Sequence, residues 1–368
     1  MSSQMKDFGG VISRLINGED ISREEAKASF AQILKNEQSE MQQGAFLAAL
    51  TAKGETVEET VGCWEAIYEL DTVKVELENE LSLVENCGTG MDAVSTFNIS
   101  TAAAIVAATA GINMARHGSR SITSVCGTVD ILEELGMDVE CTPEVVVNSI
   151  TEAGIGLFNG MSPQVHPQAL GRILSQISFG TTLNIAASLA NPVLPEYGVR
   201  GVYTKELVLP VAKAMKKIGY KKAIVVCGLV GDEELEMDEA STLGQNFIAE
   251  LKADGEIVTY SFSPEDLGIA KPDIKEIAPA KSRHQEAQRI LALLSGKGKR
   301  ARRDIVALNA ALIFYLMDYS SSFAEGYYKA GEIIDSGQAV DKLREWVRAQ
   351  NVEPEKGVAK LDTLLNAV

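Results

Sequence analysis

The apolar positions of the first 70 residues recur at helical spacing. Ser22, with Glu25 three residues on, forms a capping-box pattern, and Ala26, Phe30, Ile33 and Leu34 follow on one face. Ser39 and Gln42 repeat the device ahead of Phe46, Leu47 and Leu50. Lys53-Gly54-Glu55-Thr56 interrupts the pattern, and Thr56 can cap a further helix carrying Val61, Trp64 and Ile67. No alternating pattern occurs here, so the spacing predicts a small helical unit.

The period changes at Val73. Val73, Val75 and Leu77, then Leu81, Leu83 and Val84, read as strand, ending at Asn86-Cys87-Gly88-Thr89-Gly90. The Ala-rich stretch Thr101 to Ala110 predicts a helix closed by Gly111, and Ile112 to Ala115 a following strand. Ala223 to Cys227 is a run expected of a buried strand. Strands alternating with helices predict an α/β fold. Arg303 to Tyr315 and Phe323 to Ile334 predict amphipathic helices covering the core, after a basic, Gly-containing loop at Ser295 to Arg300.

Composition narrows the function. The 368 residues suffice for two domains, and 51 acidic against 34 basic side chains leave a net charge of -17. That balance argues against a nucleic-acid surface. Five widely spaced cysteines and three histidines argue against a zinc site and for reduced thiols. Met1 to Asn17 lacks a signal-peptide pattern, and Thr101 to Ile112 is too short to span a bilayer. The expectation is a soluble cytoplasmic protein without a membrane partner.

Three segments carry candidate chemistry. Gly88-Thr89-Gly90-Met91-Asp92, with Thr96, Asn98, Ser100 and Thr101 behind it, lies between a strand and a helix. Glycine N–H groups and the helix start there suit an anion. A plain glycine turn with a Ser/Thr cap is the simpler alternative. Arg116-His117-Gly118-Ser119-Arg120, followed by Thr123 and Ser124, forms a second cradle, with a solvated basic turn or a structural histidine as alternatives. Gly228 to Ser241 packs six carboxylates after a strand. They suit Mg²⁺ opposite phosphates, or else an acidic helix start.

Taken in order with Ser162-Pro163-Gln164-Val165-His166-Pro167, Asn191-Pro192, Pro264 to Gly268, and Arg303-Asp304-Ile305-Val306, these segments resemble the anthranilate phosphoribosyltransferase family over nearly the whole chain. The resemblance implies a small helical domain over residues 1–71, joined by helices from about 165–195, and a large α/β domain over 72–164 and 196–368. Its central sheet would be mostly parallel, as in nucleoside phosphorylases and phosphoribosyltransferases. It implies a homodimer, 5-phosphoribosyl 1-diphosphate (PRPP) as donor and Mg²⁺ as cofactor.

Carried over by position, Gly88, Thr89, Gly90, Asp92, Thr96, Asn98, Ser100, Thr101, Arg116, His117, Gly118, Thr123 and Ser124 would bind PRPP. Ser100, Asp238 and Glu239 would hold the metal, with Glu233 and Glu234 as the ungapped alternative. Ser119, His166, Arg172 and Gln176 would face the acceptor. No covalent nucleophile is implied; catalysis would be electrostatic and positional.

The acceptor half departs from the family pattern. Leu174 to Asn184 contains no arginine, Gln176 stands where one is expected, and Arg172 takes that place only in a shifted alignment. Ser119 replaces an asparagine, Ala187-Ser188-Leu189 a Gly-Pro-Leu, Met161 an aromatic and Met91 a glycine. Anthranilate is the first candidate acceptor. The alternatives are another aromatic or heterocyclic acceptor, a related nucleoside phosphorylase, and a non-catalytic binding relative.

Overall fold

The computed structural model describes residues 3–77, 81–92, 94–121, 125–177, 179–231 and 235–368. Four helices come first: α1 (Ser3–Ile16), α2 (Arg23–Leu34), α3 (Glu40–Lys53) and α4 (Val57–Leu70). Ser22 and Thr56 cap α2 and α4 with full capping boxes, each side chain accepting from the backbone three residues on. Ser39 occupies the N-cap of α3, but its side chain makes no cap bond.

The α/β part follows as β1 (Leu83–Gly88), α5 (Ile99–Thr109), β2 (Asn113–Gly118), α6 (Thr128–Glu134), α7 (Pro143–Ala153) and β3 (Ile155–Asn159). Two short helices come next, α8 (Leu170–Leu174) and α9 (Thr182–Ser188), then β4 (Tyr197–Gly201), α10 (Val208–Ile218) and β5 (Lys222–Val230). Strands β6 (Leu235–Met237), β7 (Asn246–Leu251) and β8 (Ile257–Phe262) complete the sheet. Helices α11 (Ile274–Ile277), α12 (Arg283–Leu294), α13 (Arg300–Leu316), α14 (Phe323–Ser336), α15 (Ala339–Ala349) and α16 (Pro354–Leu365) end the chain.

The sheet order is β3-β2-β1-β4-β5-β7-β8, with β6 also paired to β5. The five strands from β3 to β5 are parallel, and β6, β7 and β8 add antiparallel pairs. The expected α/β class with a mostly parallel core is therefore found, extended by an antiparallel edge. One face of the sheet packs on a cluster that includes α5 and α13. The other packs on a cluster containing Phe30, Phe46, Leu50 and Ile67 of the helical unit, Leu170 and Leu183 of α8 and α9, and Val225 of β5. Trp64 Nε1 of α4 donates to Leu189 O at 3.0 Å, tying the first helices to the chain after α9.

Val73 to Leu77 is not a strand. Val73 N donates to Val165 O at 2.9 Å and Val75 N to Pro192 O at 3.3 Å, so the segment pairs with loops instead of the sheet. Its alternating apolar residues, Val75 and Leu77, cover a satellite cluster around Phe158 and Ile150. Burial of one side imposes the period of 2 whether or not a ladder forms.

Candidate active site

Parallel strands β1, β4 and β5 end together, and glycines at those ends let another segment lie across them. A Cβ on Gly88 would overlap the Asp238 carboxylate, and one on Gly201 would overlap the Asp238 carbonyl. A Cβ on Gly228 would meet Glu239 O at 2.5 Å. Asp238 and Glu239 thus sit over the carboxyl ends of the strands, where ligands of open α/β sheets bind. Gly90 N, with φ +68°, donates to Asp238 Oδ2 at 2.7 Å. Met91 follows at φ +69°, a left-handed conformation that favours glycine.

Asp92 joins the pair. One oxygen each from Asp92, Asp238 and Glu239 lie within 4.8 Å of one another, and Asp92 Oδ2 and Glu239 Oε2 are buried without a hydrogen-bond partner. Burial, then the Asp238 charge, pushes the Asp92 carboxyl up to about 8. Burial, then the charges of Asp238 and Asp92, drives Glu239 well above the usual carboxylate range, and burial raises Asp238. Three crowded carboxylates with open oxygens form a donor set for a hard divalent cation, so the residues fit Mg²⁺.

These groups share a cleft of about 250 Å³ with the glycine turn and both basic-turn residues. Gly88, Thr89, Gly90, Thr96, Asn98, Ser100, Thr101, Arg116, Gly118 and Ser119 all line it. Asn98 Nδ2 donates to Cys126 O at 3.2 Å, while its Oδ1 is buried and unpartnered. Arg116 is 1 % exposed. Its Nε donates to Asn86 Oδ1 at 3.0 Å and its Nη1 to Thr101 Oγ1 at 2.9 Å, and burial lowers its pKa to about 10. No salt bridge holds this guanidinium among the described residues, and it lines the cleft.

Several expected contacts fall elsewhere. Arg120 reaches the cleft wall, but its guanidinium pairs with Asp130 (3.3 Å), Glu133 (2.7 Å) and Glu140 (3.2 Å), so its charge is already offset. Arg172 turns away from the cleft: Nη1 donates to Gln43 Oε1 at 3.2 Å and Nη2 to Ile33 O at 3.0 Å, which binds α8 to the helical unit. Gln176 is exposed and does not line the cleft. Thr123, Ser124, Glu233 and Glu234 lie outside the described residues.

His117 and His166, expected on opposite halves of the site, meet each other. Their Nε2 atoms are 3.1 Å apart, and His166 Nδ1 donates to Asp71 O at 2.7 Å. Burial holds both rings below the ordinary value, His117 well below, so the pair is neutral near pH 7. Behind them lies a cluster that the local motifs do not reveal. Arg200 and Glu85, both 0 % exposed, form a buried ion pair, with Tyr220 Oη donating to the same carboxylate and Asn191 Nδ2 to its other oxygen at 3.1 Å. A charged residue inside each of two buried strands, Leu-Val-Glu85 and Gly-Val-Arg200, is the sequence signal for it.

Residues 10–70 match the helical bundle domain of a glycosyl transferase family, and residues 80–340 match its a/b domain. The anthranilate phosphoribosyltransferase of Methanococcoides burtonii is 38% identical over 339 residues, covering 91% of this chain and 92% of that protein. The enzyme of the same name from Thermoanaerobacter sp. is 36% identical over 339 residues, covering 92% and 97%. The crystal structure of the Thermus thermophilus anthranilate phosphoribosyltransferase superposes with a TM-score of 0.82 at 30% identity, covering 92% of this chain and 99% of that one. The Saccharomyces cerevisiae enzyme, solved in complex with PRPP and Mg, shares the fold (TM-score 0.79, 22% identity, covering 94% and 98%). With both domains matched and the carboxylate-lined cleft at the strand ends, the chain belongs to the anthranilate phosphoribosyltransferase family of glycosyltransferases.

Proposed function

We propose that this protein transfers the 5-phosphoribosyl group of PRPP to the amino group of an aromatic acceptor, with anthranilate, the acceptor named by its relatives, as first candidate. The observation that carries the reading is the gathering of Asp92, Asp238 and Glu239 within 4.8 Å, beside a glycine turn and the uncompensated Arg116.

Asp92, Asp238 and Glu239 would hold Mg²⁺, with Ser100 on the same cleft wall. A divalent cation there supplies positive charge against the diphosphate. The chain's own groups do the rest. The start of α5 and the Asn98 and Thr101 side chains orient phosphate and ribose oxygens. Arg116, fixed by Asn86 and Thr101, faces negative charge as it grows on the leaving group. The C1–O bond breaks with its electron pair leaving on diphosphate. The amine lone pair forms the new N–C1 bond, and the nitrogen then releases one proton to diphosphate or water. No enzyme nucleophile takes part.

A homodimer belongs to the same reading: Ile16 and Met41 at the outer surface of α1 and α3 are 70% and 85% exposed. Five unpaired cysteines fit a reducing, cytoplasmic setting, and no helix among the described residues is long and apolar enough to cross a membrane.

The test is an assay with PRPP, Mg²⁺ and a panel of aromatic amines, reading acceptor loss and diphosphate release together. Stoichiometric release of diphosphate with consumption of anthranilate supports the reading. Phosphate-dependent cleavage of nucleosides, with no use of PRPP, defeats it.

A further inference from the structure

Met91 is held in a conformation that its side chain resists. It follows Gly90 in the glycine turn with φ +69°, a left-handed backbone that costs an L side chain energy and that glycine adopts freely. Such outliers persist where their surroundings impose them, and they gather at ligand sites. Met91 lines the cleft. Its side chain also reaches the segment between α8 and α9. A Cβ on Gly180 would lie 3.4 Å from Met91 Cγ, 3.5 Å from Met91 Cβ and 4.0 Å from Met91 Cε, nearer than to any other residue. Gly180 thus turns its bare side to Met91, and the thioether chain takes up the space between the donor turn and this segment.

The platform beneath the contact is fixed. Gly180 precedes Thr181, the N-cap of α9. Thr181 Oγ1 accepts from Leu183 N at 3.2 Å, and Thr181 N donates to Asn184 Oδ1 at 2.9 Å. Thr181 is buried, and Leu183 belongs to the helical-unit cluster. Among the described residues of 174–184, only Asn184 lines the cleft. On its other side Met91 adjoins Asp92 of the carboxylate cluster. One strained side chain therefore stands between the carboxylates and the 174–184 segment.

We infer that Met91 is a specificity-determining residue: its side chain is the apolar wall that bounds the acceptor ring and limits the acceptor to a single aromatic ring. This rests on the proposed transfer to an aromatic amine and narrows the acceptor class. The donor's phosphates take the carboxylates, Arg116 and the start of α5, which leaves the side toward the 174–184 segment for the acceptor. A thioether there is apolar and polarisable, so it suits the edge or face of an aromatic ring. A glycine at position 91 would relieve the backbone and leave the gap open. A fused second ring adds as many heavy atoms as the methionine side chain occupies, so the two compete for one space. Packing of this kind discriminates by tenfold or more even for small groups.

The test is equilibrium binding of anthranilate and of 3-amino-2-naphthoate, its two-ring homologue with the same amine and carboxylate. Calorimetry is done with Mg²⁺ and diphosphate present and no turnover. The variants are Met91→Gly, Met91→Ala and Met91→Leu, with far-UV circular dichroism as the folding control. The wild type should prefer anthranilate at least about tenfold. That preference should fall to within about threefold in Met91→Gly and Met91→Ala through tighter binding of the naphthoate, and should survive in Met91→Leu, which keeps the bulk. Equal wild-type affinities, binding of neither compound, or a preference that both small variants retain overturns the proposal. Should Met91→Gly fail the folding control, Met91→Ala decides by the same criterion. Absence of transfer to anthranilate with the ring discrimination intact counts against the proposed reaction alone.

Discussion

The missing side chain of Gly88 is what makes room for Asp238. Any Cβ at Gly88 would overlap the Asp238 carboxylate, although the two residues are 150 positions apart. Gly88→Ala should therefore leave the helical unit and sheet intact but push the 238–239 segment off the strand ends. The expected outcome is a near-native circular dichroism spectrum with kcat/KM reduced at least about 100-fold, a loss of about 3 kcal/mol in transition-state stabilisation. Wild-type rates in a folded Gly88→Ala protein would remove the segment from the site.

Like charges crowd at Asp92, Asp238 and Glu239. Glu239→Gln should relieve that repulsion in the metal-free protein and raise its melting temperature by about 2 °C. The same variant should lose most of the stabilisation that Mg²⁺ with PRPP confers on the wild type. Differential scanning fluorimetry with and without both ligands reads the two effects in one series.

Arg172 binds Gln43 and the Ile33 carbonyl, not the cleft. Arg172→Ala is expected to cost about 1–2 kcal/mol of stability through two lost hydrogen bonds. The acceptor KM should stay within about twofold. A tenfold rise in that KM at unchanged stability would return Arg172 to the acceptor site.

The His117–His166 pair gives a signed pH effect. Burial, then His166, holds the His117 ring well below its ordinary value of 6.5, with Arg200 adding to the depression. The Asp71 backbone and charge act the other way on His166. In the window below about 6.5 the unfolded chain takes up protons that the folded one does not. Stability is therefore full above that pH and falls as the solution is acidified. The pair should cost up to about 2 kcal/mol per ring between pH 7 and 5. Urea titrations across that range should show a shallower acid slope for His117→Gln than for the wild type.

Local features were the legible ones. Ser22 with Glu25, and Thr56, announce α2 and α4 because a cap is a contact within four residues. The turn from Gly88 to Asp92 is legible as a candidate ligand turn because glycine and hydroxyl residues are consecutive there, and it does line the cleft. Asp238 and Glu239 are visible as an acidic pair, but Asp92 joins them only through the juxtaposition of strand ends, which no local spacing records. The meeting of His117 with His166, and the direction of Arg172, depend on how α8 and the loop between β3 and α8 lie over the sheet. Val73 to Leu77 misleads for the opposite reason: one-sided burial alone produced the alternation, and its backbone bonds to loops. Arg200 and Glu85 meet through register, since the pairing of Cys87 with Arg200 puts the Glu85 and Arg200 side chains on one face of the sheet.

On the proposed reading, Asp92, Asp238 and Glu239 hold the metal that lets this cleft bind PRPP. Calorimetric titration of PRPP into the protein with and without Mg²⁺, repeated with Asp238→Asn, tests it most directly. The expected result is saturable binding with Mg²⁺, weakened at least about tenfold, or about 1.4 kcal/mol, by removing Mg²⁺ or by the substitution. No binding of PRPP even with Mg²⁺, or binding indifferent to both changes, would contradict it.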